Sequence, residues 1–88
     1  MEMEISDMVW ASCKKLRFTD REVEIAELTA RGYANSNIAR QLTITPQTVK
    51  SHIKSVTHKI GIQRTDGMVR RVLIVERLRQ MGLGVKRT

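Results

Sequence analysis

The sequence predicts an all-α fold, and three observations carry that expectation. Aliphatic residues recur at spacings of three and four along most of the 88 residues. Gly32, Pro46, Gly61 and the pair Gly82 and Gly84 divide those stretches into pieces of helical length. One Phe, one Tyr and one Trp supply little of the aromatic surface that strands favour and no platform for stacking single-stranded bases. A chain of this size forms one domain with a thin core, burying about 60–65% of the surface its unfolded form exposes.

The first piece places Ile5, Met8, Val9, Cys13 and Leu16 on one helical face. Glu2 and Glu4 stand at its start and Lys14, Lys15 and Arg17 at its end, the arrangement a helix dipole favours. Residues 1–17 are therefore assigned to an N-terminal amphipathic helix. Thr19 followed by Glu22 forms a capping box, so a second helix starts near Asp20. It turns Ile25, Leu28 and Ala30 inward and stops at Gly32. A third, short helix holds Ile38, Ala39 and Leu42. Thr45 and Pro46, a cap followed by a residue that needs no N–H in the first turn, open a fourth helix. Its apolar stripe is Val49, Ile53, Val56 and Ile60, and its opposite face shows Gln47, Lys50, Ser51, Lys54 and His58. A fifth helix runs from after Thr65 to about Met81. Met68, Val72, Val75 and Leu78 form its seam, widened by Val69, Leu73 and Ile74, while Arg70, Arg71, Arg77 and Arg79 keep the other face soluble. Residues 18–82 are assigned to one domain and residues 83–88 to a basic C-terminal tail.

Charge points to the partner. Sixteen Lys and Arg against nine Asp and Glu give a net charge of +7, which favours polyanions. From Leu28 to Thr65 there is no acidic residue, while Arg31, Arg40, Lys50, Lys54, Lys59 and Arg64 are all cationic. A solvated face mixes both signs, so this stretch is better explained by nucleic acid. The short third helix, the tight Thr43-Ile44-Thr45 link and the polar-faced fourth helix make a helix-turn-helix, the arrangement that places its second helix in the major groove of double-stranded DNA. One cysteine, Cys13, excludes an internal disulfide or a Cys-based zinc site and is read as a small hydrophobe. His52 and His58 are six residues apart rather than four, so no metal site is assigned. His52 is read as a partly buried imidazole bonded to the backbone. No cofactor and no catalytic residue is assigned, and an enzyme has no support in the sequence. No apolar run approaches the roughly 20 residues that cross a bilayer, and no signal peptide is recognisable, so the expected location is the cytoplasm.

Phe18-Thr19-Asp20-Arg21-Glu22, Glu24-Ile25, Leu28, Ala30, Gly32, Asn35, Ile38-Ala39, Leu42, Ile44-Thr45, Thr48-Val49-Lys50, His52, Val56, Lys59-Ile60-Gly61-Ile62 and Arg64-Thr65 together resemble the LuxR/GerE-type DNA-binding domain. The resemblance implies a four-helix domain, here with an extra N-terminal helix, in a stand-alone, GerE-like form. It implies a bacterial transcription regulator that binds specific sequences with residues 46–60 and dimerises through residues 65–81. By the same resemblance Lys50, Ser51 and Lys54 reach base edges, and Thr45 and Thr48 hold the phosphate backbone. Gln47, Lys59 and Arg64 are added as backbone contacts, and Val69, Val72, Leu73, Val75 and Leu78 as the homodimer interface. Where the family usually caps its short helix with Ser-x-x-Glu, this chain has Ala34 and Asn37, so that helix starts from Asn35, Ser36 or a shifted boundary. Read as a full-length chain, it would carry no receiver or ligand domain, and control would come from abundance or a partner, with RNA polymerase or another regulator as further partner classes. Two other readings stay open: an inhibitor that joins a larger regulator through its apolar fifth helix, and a polymerase-binding module resembling sigma factor region 4.

Overall fold

Short polar side chains set most of the helix starts. The computed structural model describes residues 5–62 and 67–84, with the backbone alone for 67–70. Its helices are α1 (Asp7–Lys15), α2 (Asp20–Ala30), α3 (Asn35–Leu42), α4 (Pro46–Lys59) and α5 (Gly67–Gln80), and no strand occurs among the described residues. The Ser6 hydroxyl accepts from the N–H of Val9, so α1 starts later than the acidic residues suggested. Glu2 and Glu4 lie outside the described residues. At α2 both halves of the capping box are present: Thr19 Oγ1 accepts from the Glu22 N–H at 3.1 Å, and Glu22 Oε1 accepts from the Thr19 N–H at 2.7 Å. Thr45 caps α4 from the position before Pro46. Ala34 occupies the cap position of α3 and makes no side-chain bond there.

Helix ends follow a shared plan. After each helix the chain passes through a residue with positive φ, and the next N–H bonds back five residues, as in Ile44 N–H to Ala39 O at 2.9 Å and Leu83 N–H to Leu78 O at 3.0 Å. Arg17 and Thr43 take this role without being glycine, at φ 64° and 56°. For a β-branched residue such as Thr43 that conformation costs roughly 1–2 kcal/mol.

The chain packs around α2, which is buried from Glu22 to Ala30 except for Glu24. One side of α2 gives Val23, Ala26 and Ala30 to a core completed by Val9, Cys13, Phe18, Val56, Ile60, Ile74, Leu78 and Leu83. The other gives Ile25 and Leu28 to a second cluster with Ile38, Ala39 and Val49, which holds α3 and α4 together. Ile53 packs against both clusters. α2 thus joins the helix-turn-helix to α1 and α5.

Several expectations are corrected here. Met8 is 83% exposed and Leu16 37%, because α1 needs only Val9 and Cys13, one turn apart, to reach the core, and Leu16 lies past its last helical residue. α1 is part of the core, resting on the turn after α5: a Cβ on Gly82 would lie 2.7 Å from Val9 Cγ2. The packed unit also extends past residue 82. Leu83 is fully buried, and the Gly84 N–H donates to Glu27 Oε1 at 2.8 Å. Gly84 has φ +70° and lies so close to Ala30 that a Cβ would meet its backbone at 2.7 Å, so only glycine fits. Leu78, expected on a dimer seam, is also fully buried and belongs to the chain's own core, because it points at α2 rather than away from it.

Candidate nucleic-acid interface

The turn between α3 and α4 consists of Thr43, Ile44 and Thr45. The left-handed Thr43 reverses the chain, and the half-buried Ile44 packs beside Leu42 onto the second cluster. Thr45 then starts α4: its Oγ1 accepts from the Thr48 N–H at 3.1 Å and lies 2.9 Å from Thr48 Oγ1. Both hydroxyls sit at the N-terminal end of α4, where the helix dipole favours anions.

Packing decides which face of α4 is free. Val49 and Val56 are buried, so Gln47, Lys50, Ser51, Lys54 and His58 are left exposed. No carboxylate lies on this helix, and the two lysines stand one turn apart on one face. Such a face offers two cationic donors and a hydroxyl to base edges and phosphates, and has nothing to repel them. His52 is half-buried beside the stripe, and no hydrogen bond of its imidazole occurs among the described contacts. Arg64 lies outside the described residues, as do the side chains of Met68, Val69 and Arg70.

Lys59, expected to contact phosphate, is turned into the protein instead. Its Nζ donates to Glu22 Oε1 at 2.6 Å and to Arg17 O at 2.9 Å, tying the end of α4 to the start of α2. Burial by itself would raise the Glu22 pKa. The Lys59 bond and charge, the Ser55 hydroxyl and the Thr19 N–H outweigh it and hold the pKa at about 2. Lys14 is also engaged internally, with Asp20 and with Phe18 O, and its ammonium lies 5.8 Å from the Trp10 ring centre.

Two arginines expected only to keep α5 soluble have structural partners. Arg71 donates through Nη1 to Asn35 Oδ1 and through Nη2 to Tyr33 O, both at 2.8 Å. Arg79 Nε donates to Ala30 O at 3.0 Å. Together they fasten α5 to the last residue of α2, to the link that follows it and to the first residue of α3, whose cap position lacks a polar side chain. Burial lowers the pKa of Arg71. Glu27, 2% exposed, was also missed as a structural residue: it pairs with Arg31 and accepts from Gly84. The Glu27/Arg31 spacing was visible in the sequence. The arginine contacts, 36 to 49 residues apart, left no local signal.

Comparison with known proteins agrees with this arrangement. The family model described as bacterial regulatory proteins, luxR family, matches residues 16–72. Response regulator protein VraR from Staphylococcus aureus, Staphylococcus saprophyticus and Staphylococcus epidermidis is 42% identical over 52 residues. That stretch is 58% of this chain and 25% of each relative, so the match spans about a quarter of the relatives' length. No solved structure matches the chain.

Proposed function

Because the chain belongs to the luxR family of bacterial regulatory proteins, whose helix-turn-helix binds DNA to regulate transcription, we propose that it binds specific double-stranded sites as a homodimer, with α4 in the major groove. The observation that carries this reading is the free face of α4, where Lys50, Ser51 and Lys54 are exposed on a helix without a carboxylate and held from behind by Val49 and Val56. Lys50 and Lys54 donate to guanine O6 or N7, and Ser51 donates or accepts. Thr45, Gln47 and Thr48, at the start of α4, and Arg64 hold the phosphate backbone. Lys59 is left out of that set, because its ammonium is bound to Glu22.

The dimer in this reading uses the outer side of α5, where Val72 is 61% and Leu73 40% exposed and Val75 is half-buried. Two-fold pairing would set the two recognition helices about one DNA turn, ~34 Å, apart and select inverted-repeat sites. Selection of duplexes from a random library, followed by footprinting, tests the reading. A symmetric protected site is expected, and failure to enrich any sequence would overturn it. For a dimer making about 6–10 phosphate contacts, the slope of log K against log salt should be about −5 to −9. A nearly flat dependence would count equally against DNA.

A further inference from the structure

Beside the reading face, α4 and α5 flank an open groove of about 440 Å³, within the size range of small-molecule sites. Its lining has two parts. The half-buried Ile53 of α4 gives it an apolar wall and the buried Ile74 of α5 its floor, while the exposed Gln47, Lys50, Ser51 and Lys54 form its polar edge. Arg71 also lines it, with its guanidinium already bonded to Asn35 and Tyr33. No carboxylate lies among the lining residues. A base edge reaches the exposed ends of the lysines. Ile53, half-buried between the helices, gains from covering by an apolar chain, and Ile74, 3% exposed, lies beneath it as the floor.

We propose that this groove binds an amphiphilic carboxylate, its apolar body against Ile53 and Ile74 and its carboxylate between the ammonium groups of Lys50 and Lys54, and that the bound molecule excludes DNA. Charge complementarity selects the head group: the lysines are one turn apart on one face, so both ammoniums can reach a single carboxylate and Ser51 can donate to it as well. The apolar lining selects the size, since the half-buried Ile53 over the floor at Ile74 covers part of one short chain rather than the stripe of a partner helix. The excluded-DNA consequence rests on the DNA-binding reading, whereas the site itself does not.

Octanoate, octanol, acetate and polyglutamate, each titrated into the methyl-labelled full chain without DNA and, for octanoate, below its critical micelle concentration, test the site. Octanoate should shift the Ile53 and Ile74 methyls saturably, and octanol should bind at least about tenfold more weakly. In a Lys50→Gln/Lys54→Gln variant that keeps the native methyl spectrum, the two should bind equally. The site is overturned if the shifts fail to saturate, if they centre on Val72 and Leu73, if acetate or polyglutamate reproduces them, or if the variant keeps its preference for the acid. A second arm adds a selected duplex. Octanoate should release it at the concentrations that saturate the methyls, and release failing at saturation would overturn the exclusion. A chain that binds no duplex at all would overturn the DNA reading, and the methyl titration would still decide the site.

Discussion

Lys54 owes its freedom to its neighbours: Ile53 and Val56 turn inward, so the ammonium between them faces solvent beside Lys50. If it reads a base, Lys54→Ala should cost roughly 1–3 kcal/mol on a selected site and much less on random DNA. Titrations on both duplexes check this, and equal losses would make it a backbone contact. The opposite kind of residue is Thr29, whose Oγ1 is buried without a hydrogen-bond partner among the described residues. Valine has the same shape and no hydroxyl to desolvate. Thr29→Val should therefore raise stability by about 1 kcal/mol, read as a higher urea midpoint with an unchanged m-value. The lysines could be placed from sequence because their exposure follows from helical period alone. Lys59 could not: it looked like a phosphate contact, and only the packing of α4 against α2 set its ammonium on Glu22.

At the scale of elements, α5 carried the most misleading pattern. Its sequence is apolar over much of its girth, and periodicity cannot say which apolar residues meet the chain's own core and which are left over. The structure divides them: Ile74 and Leu78 go inward, and Val72 and Leu73 outward. Two variants separate these roles. Val72→Asp with Leu73→Asp should leave the far-ultraviolet circular dichroism of a folded monomer while abolishing dimerisation, as sedimentation would show. Leu78→Asp should unfold the chain, because a carboxylate in that core has no partner and burying it costs several kcal/mol. A dimer that survives the first double substitution would place the interface elsewhere. α1 shows the same limit from the other side. Its amphipathic period was legible, yet its start was set by the Ser6 cap and its facing by contact with the turn at Gly82.

Across the whole molecule, the Glu22–Lys59 pair links the first turn of α2 to the last residue of α4 and makes stability depend on pH. The Glu22 pKa of about 2 lies below its ordinary 4.5, so the pair's stabilisation is complete above about pH 4.5 and is lost as pH falls toward 2. Glu22→Gln should lower stability at pH 7, and its unfolding free energy should change less between pH 4.5 and 2 than that of the unsubstituted chain. Urea unfolding at a series of pH values measures both, and parallel curves would show that another acid dominates the acid limb.

By itself the sequence determined what is local or periodic: five helical stretches, the Thr19/Glu22 and Thr45 caps, the three-residue turn, and the acid-free polar face of α4 opposite Val49 and Val56. Each of these depends on residues within a turn or two of one another, where backbone geometry dictates which side chains meet. Tertiary structure alone decided the rest. It turned Lys59 onto Glu22, sent Arg71 and Arg79 to the carbonyls around the end of α2, enclosed Leu78 and Leu83, and opened the groove between α4 and α5. Those outcomes depend on how helices far apart in the chain share the limited buried surface of a small domain. Helical period gives each helix a face, and only docking says what that face meets.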